Sequence, residues 1–172
     1  WAHSKENSPT GRVMVEKYLE GPQVSTESMM VDGNCYTVGF SDRNYEFLEK
    51  YAPYIIENGG DLPSYLPYKI QEDIKIIIEK AALSMGITNG IVKGDIVVHD
   101  GKPYVIELAA RLSGGYFCTH EIPMNTGVDL VGNAIKMAIG ERLDLNDLLP
   151  KFNKNICQRY IFPKPGILNE IN

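Results

Sequence analysis

The chain has 172 residues, 44% of them hydrophobic, which is the size of one compact domain able to bury most of its apolar surface. Its net charge of -5 and pI near 5.2 argue against a nucleic-acid partner, because such proteins cluster Lys and Arg to replace phosphate counterions. The three cysteines, Cys35, Cys118 and Cys157, are odd in number, widely spaced and form no CxxC pair, so neither a disulfide framework nor a zinc site is expected and a reducing cytoplasm fits. No apolar run approaches the roughly 20 residues that cross a bilayer, and no basic stretch followed by an apolar core opens the chain, so no membrane partner is expected.

Residues 1–11 are polar, carry Pro9 and Gly11 and show no periodicity, so they read as a disordered leader or a loop remnant. Arg12 to Tyr18 is a short strand-like run broken by Gly21-Pro22. Val24 to Val31 alternates and returns through Cys35 to Phe40 around Asp32-Gly33, a hairpin turn signal. Residues 41–69 hold Pro53, Gly59-Gly60, Pro63 and Pro67 among five tyrosines and read as a long connection. From Ile70 to Met85 the apolar positions 70, 74, 77, 78, 81, 82 and 85 form one helical stripe, and Gly86 ends it. Two strands follow, Lys93 to Val98 and Pro103 to Leu108, and then a loop ending in Ser113-Gly114-Gly115. A helix over about Val128 to Ile139 stops at Gly140. A short helix near Leu143 to Leu149 and a strand from Ile156 to Phe162 complete the pattern.

Asp95 and Glu107 stand on adjacent strands, and strand parity decides whether they meet, because successive side chains point to opposite faces. A two-residue turn at Asp100-Gly101 would put the two acids on different faces. A three-residue loop with Gly101 left-handed as a bulge would put them on one face, and that loop is the expectation. Val97 and Val105 then share the face of the acids, and Ile96, Val98 and Ile106 point into the core. Two clustered carboxylates offer oxygen ligands suited to Mg2+ or Mn2+ carrying nucleotide phosphates, although acids on strand pairs are more often simply solvated. Arg111 lies where the second strand yields to the glycine loop, where its guanidinium fork can hold a phosphate or carboxylate, or form an ordinary surface ion pair. His120 and Glu121 follow that loop and can face a substrate, but neither is assigned a role, since a lone histidine is more often a surface or packing residue.

The segments Val15-Glu16-Lys17-Tyr18-Leu19-Glu20-Gly21-Pro22, Lys93-Gly94-Asp95-Ile96-Val97 and Val105-Ile106-Glu107-Leu108-Ala109-Ala110-Arg111-Leu112-Ser113-Gly114-Gly115 resemble, in order and spacing, the ATP-grasp superfamily. The resemblance implies an α/β (α+β) fold, mainly an antiparallel sheet with packed helices, with residues 12–162 as the C-terminal part of the domain and 163–172 as the start of a further segment. It also implies that ATP and Mg2+ (or Mn2+) are the cofactors, with small-molecule carboxylate and amine substrates joined through an acyl-phosphate. In that family the first segment is a hinge around adenine. Glu16 would accept from the adenine amino group, Lys17, Tyr18 and Leu19 would contribute backbone contacts, and Val15 and Val97 would pack on the base. Asp95 and Glu107 resemble the metal ligands, and Arg111 resembles the catalytic arginine that steadies the transferred phosphate.

Several departures accompany the resemblance. The family's glycine-rich loop and paired lysines do not precede residue 12, so the N-terminal subdomain is expected to be missing and the fragment inactive alone. The family's asparagine two positions after the second metal ligand is Ala109. Its ribose-binding acid is Gln23, with Glu27 as a spare acid nearby. The continuation after Arg111 looks more like carboxylate-amine or amino-acid ligases and carbamoyl-phosphate-synthase-like proteins than like biotin carboxylases. The alternative is a noncatalytic nucleotide-binding or protein-interaction module. An uncovered edge near Val13 to Leu19 would also allow a homodimer.

Overall fold

The computed structural model describes residues 1–170. In chain order the elements are α1 (Ala2–Glu6), β1 (Gln23–Val31), β2 (Asn34–Asn44), β3 (Gly59–Leu62), α2 (Tyr68–Ser84), β4 (Gly90–His99), β5 (Lys102–Ala109), α3 (Ile122–Thr126), α4 (Leu130–Ala138) and β6 (Ile156–Arg159). A π-helical turn covers Phe117–Glu121 and a 3-10 turn covers Leu145–Leu148. The strands form one six-stranded sheet in the order β5-β4-β1-β2-β3-β6, and every pairing is antiparallel. This is the α+β architecture expected. No helix among the described residues is long and apolar enough to cross a membrane.

Period-two alternation in β1 and β4 sends their side chains to two different cores. Val24 and Met30 of β1 and Val92, Ile96 and Val98 of β4 pack against the buried stripe Ile74, Ile78 and Ala82 of α2. Gly94 is what lets α2 come this close: a Cβ there would collide with Ile78 Cδ1 and Thr26 Oγ1. On the other face Met29, Val38, Phe117, Ile122, Val128, Leu130 and Leu148 make a second core under α3, α4 and the 3-10 turn. Gly39 has the same spacer role there, because its missing Cβ leaves the room filled by Ile122. That second cover extends over only part of its face. Beyond it the cross-strand pairs are polar, with Ser25 opposite both Ser41 and Asp95, and Glu27 opposite Lys93.

The β1–β2 hairpin turns at Asp32-Gly33 as anticipated, both residues having positive φ (49° and 83°), the signature of a type I′ turn. The same dipeptide chemistry recurs at Asp100-Gly101, with φ of 50° and 72°. His99 pairs directly with Lys102 there, so the connection is the two-residue turn and not the three-residue loop expected. Parity is instead restored inside β5. Val105 opposes Ile96, Glu107 opposes Asp95, and Ile106 is an unpaired bulge residue between them. Both acids therefore occupy one cross-strand position, but Val105 shares the side of Ile96 and Ile106 is 53% exposed instead of entering the core.

Three other readings are corrected. Arg12 to Tyr18 forms no strand and pairs with no strand among the described residues; the chain is anchored just beyond it, where Glu20 O lies 2.8 Å from His99 Nδ1 and Val98 N donates to Pro22 O. Residues 41–69 are not one connection, since β2 runs on to Asn44 and β3 bridges β2 to β6. Residues 2–6 form a short exposed helix. Of the segment read as the start of a further unit, residues 163–170 carry no regular secondary structure, and 171 and 172 lie outside the described residues.

The packing predicts that Ile78→Ala costs about 2–5 kcal/mol in a denaturant titration, by lost burial and a residual cavity. Ile76→Ala, one face away and half exposed, is expected to stay within about 0.5 kcal/mol of wild type.

Candidate functional site

The uncovered polar part of the sheet is the floor of a cleft of about 220 Å3. Ser25, Ser41, Arg43 and Lys93 rise from β1, β2 and β4, and the walls come from Arg111, the Ser113-Gly114-Gly115 loop, Glu57, Glu121, Gln158 and Tyr160. Three cations enter it on three different segments. Arg43 is held by Glu57 through Nε (2.8 Å) and Nη2 (2.6 Å), and its Nη1 lies 3.3 Å from Asp95. Burial alone would lower the Arg43 guanidinium, but Asp95 and Glu57 outweigh it and hold the group above its ordinary range. Lys93 also pairs with Asp95. Arg111 has no carboxylate partner among the described residues; its Nη1 donates to Leu112 O at 3.2 Å.

The Ser113-Gly114-Gly115 loop is fixed by its polar atoms. Ser113 N donates to both carboxylate oxygens of Glu27 at 3.1 and 3.3 Å, and Ser113 Oγ donates to the same carboxylate. Cys118 Sγ donates to Ser113 O, Phe117 N to Gly114 O, and Gln158 Nε2 to Gly115 O. The loop carbonyls are thus occupied, while the amides of Gly114 and Gly115 have no protein acceptor among the described residues. Gly115 and Tyr116 both have positive φ (63° and 68°), which turns the chain sharply into the π-helical turn. Successive amides without a protein acceptor, beside an Arg111 without a carboxylate partner among the described residues, are the donor groups that anion-binding concavities use.

Asp95 is 8% exposed. Its Oδ1 accepts from Ser25 Oγ at 2.9 Å, and its Oδ2 faces Lys93 and Arg43. Glu107, opposite it on the edge strand, is exposed and makes no hydrogen bond among the described residues. Among the described residues no group of three His, Cys, Asp or Glu side chains is placed to hold a metal. The pair is therefore at most a two-carboxylate platform that phosphate oxygens and water would have to complete, the usual arrangement for Mg2+ on a nucleotide.

The expected hinge residues lie apart from this cleft. Val15 (81% exposed), Glu16, Lys17 and Tyr18 stand in solvent and Leu19 is half-buried. Gln23 pairs with Val97 across β1 and β4, and its Oε1 accepts from Tyr45 at 3.1 Å. Val97 is fully buried and offers no surface to a base in this conformation. Glu27 is likewise fully buried and committed to Ser113, so it is not a free acid for ribose. Arg43, Glu57 and Lys93 were not anticipated. Lys93 carried a signal, standing two residues before Asp95 and hence on its face. Arg43 and Glu57 carried none, since they come from the segment read as a connection.

A sequence model of the ATP-grasp domain matches residues 2–115. The chain belongs to the ATP-grasp family. Among curated relatives, the carbamoyl phosphate synthase large chain of Caldanaerobacter subterraneus subsp. tengcongensis is 27% identical over 148 residues, covering 82% of this chain and 12% of the relative. Among solved structures, phosphoribosylglycinamide synthetase from Anaerococcus prevotii superposes with a TM-score of 0.76 at 21% identity, over 98% of this chain and 42% of that one. The biotin carboxylase domain of Hydrogenobacter thermophilus 2-oxoglutarate carboxylase, solved with MgADP and bicarbonate, gives 0.62 at 25% identity over 81% and 30%. The chain thus spans a minority of each ATP-grasp relative, and its similarities extend to both ligases and biotin carboxylases.

Burial raises the Glu27 carboxyl from 4.5 to about 7, against the opposing pull of the Ser113 donors and the Lys93 and Arg111 charges. A carboxyl raised in the fold is stabilised in its neutral form. Its contribution is therefore full below the unfolded value and is lost as pH rises through about 7. Denaturant midpoints measured across that window are expected to fall with rising pH, and Glu27→Gln, which cannot ionise, is expected to flatten the fall. A slope identical in the two proteins would contradict this.

Proposed function

We propose that the chain is the ATP- and Mg2+-binding part of an ATP-dependent ligase that activates a carboxylate as an acyl-phosphate for attack by an amine. The observation that carries this reading is the placement of Asp95 and Glu107 at one cross-strand position beside a cleft with three cations and two free glycine amides. Phosphoryl transfer needs positioning and charge neutralisation more than covalent help from the protein. Arg111, free of any carboxylate, would meet the transferred phosphoryl group, and Lys93 and Arg43 would share its charge. A bound Mg2+ would neutralise phosphate charge and orient the oxygens in line. Asp95 and Glu107 are the residues that would hold it, and it would take the place of Lys93 and Arg43 on Asp95.

The hinge segment would supply the adenine contacts, and its exposed Met14, Val15 and Tyr18 fit a surface that closes against a second nucleotide-binding unit of the same parent or a second copy. On this reading the cleft alone binds nucleotide weakly and the isolated chain does not turn over. The unpaired cysteines fit a reducing, cytoplasmic setting. A noncatalytic nucleotide-binding module is the second reading, favoured by Ala109 at the position where the family carries a further oxygen ligand.

Calorimetric titration of the chain with ADP is expected to show binding that strengthens when Mg2+ is added. Asp95→Asn and Glu107→Gln are each expected to remove that gain by at least about tenfold, the scale of losing even outer-shell partners of a metal. Arg111→Ala is expected to weaken ADP with and without Mg2+. Binding indifferent to Mg2+ in the wild-type chain would remove the metal from the reading. ATP hydrolysis at an ordinary enzymatic rate, abolished by Glu107→Ala, would show that the chain is active alone.

A further inference from the structure

The cleft has one acid for which the phosphate-holding reading has no use. Glu121 closes the π-helical turn and lines the cleft with Arg43, Lys93 and Arg111, yet it is only 5% exposed. It has no hydrogen-bond donor and no cation on it among the described residues. Its position is built. Gly39, lacking a Cβ, lets Ile122 and Phe117 seat against the sheet, and these residues flank Glu121 in sequence. Its carboxyl oxygens are not sealed off, since the buried side-chain atom without a partner among the described residues is Asn133 Oδ1; they open on the cleft, where partial burial still makes an unpaired charge costly.

The groups around it identify what would satisfy it. Glu57 bears on Glu121 with like charge and is itself tied to Arg43; Tyr160 stands on the same wall, and Arg43, Lys93 and Arg111 stand across the cleft floor and the glycine loop. On its own turn the neighbours are Tyr116 and His120, whose rings stack edge to face. The cleft therefore carries both signs, with Arg43, Lys93, Arg111 and two free amides on the one hand and Glu57, already paired with Arg43, and the unpaired Glu121 on the other. A simple phosphate satisfies only the cations and amides. We infer that Glu121 is a specificity-determining residue that receives the ammonium group of a small substrate whose anionic end lies on Arg111 and the Gly114-Gly115 amides.

This inference rests on the anion-holding reading of the cleft given above and adds the cationic half of the ligand. Burial, then repulsion from Glu57, raises the Glu121 carboxyl from 4.5 to about 7, so an ammonium group entering the corner gains a charged partner most fully above neutral pH. His120 does not compete for it, because its Nδ1 lies 2.8 Å from Thr119 Oγ1 on the exposed side of the turn.

The test compares two probes that share an anionic end, ethyl phosphate and O-phosphoethanolamine, by NMR titration of the whole chain at about pH 8, where both are phosphate dianions and only the second carries an ammonium. The ammonium probe is expected to bind about fivefold tighter, the value of one partly screened ion pair. In Glu121→Gln that preference is expected to fall to near unity while ethyl phosphate binds at least as well as before, which also reports that the variant is folded. Equal affinities in wild type, or a preference unchanged in Glu121→Gln, would overturn the inference and leave the anion-holding reading standing. Failure of both probes to bind in wild type would overturn the anion-holding reading and this inference with it.

Discussion

The carboxylate pair of the candidate site depends on a strand-parity constraint solved by one residue. A two-residue turn at Asp100-Gly101 leaves odd and even positions of β4 and β5 on mismatched faces, and Asp95 and Glu107 would then be separated by the thickness of the sheet. The bulge at Ile106 shifts the register by one between Ile96 and Asp95 and places the acids opposite each other. The turn end of the ladder keeps Ile96 and Val98 on α2, while the far end presents Glu107 on the side of Asp95. A structural register and a chemical register coexist in one hairpin because the bulge separates them.

The second organising feature is the buried Glu27 carboxylate. It lies on the central strand β1, opposite Lys93, and takes the amide and hydroxyl of Ser113, 86 residues away in sequence. Three kinds of element meet through it: the sheet floor, the glycine loop and the π-helical turn that loop leads into. Its burial cost is offset by donors that have no other acceptor, an arrangement in which losing one member leaves a buried partner unsatisfied. The loop carbonyls take donors from Cys118, Phe117 and Gln158, which leaves the Gly114 and Gly115 amides without a protein acceptor among the described residues.

Much of this was legible in the sequence where one local rule decides the outcome. The Asp32-Gly33 turn, the α2 stripe and the strand pair bearing Asp95 and Glu107 follow from turn chemistry and periodicity alone. The Asp100-Gly101 turn shows the limit. The local signal for a two-residue turn was present, but the requirement that the acids meet was assigned to the loop, whereas a bulge five residues on satisfied it. β3 was illegible because Gly59-Gly60 has little strand propensity of its own; it is a strand because β2 and β6 pair with its two edges. Arg43 and Glu57 were missed with it. Arg12 to Tyr18 failed in the opposite sense, having strand-like alternation but no neighbouring edge to pair with among the described residues. Glu27 and Glu121 have roles set by what packs over them, and no spacing rule reports that.

A parity device, a pinned glycine loop and a cleft carrying both signs of charge lie side by side at the site proposed to hold nucleotide phosphates and a metal. The central claim is that Asp95 and Glu107 act as a pair on one metal ion. Mn2+ added to the chain with ADP, followed by paramagnetic broadening in NMR spectra, tests that directly. Broadening is predicted to centre on Asp95 and Glu107, to reach Ser25 and Lys93 on the neighbouring positions, and to disappear in Glu107→Gln. Broadening centred elsewhere, or persisting unchanged in that variant, would contradict it.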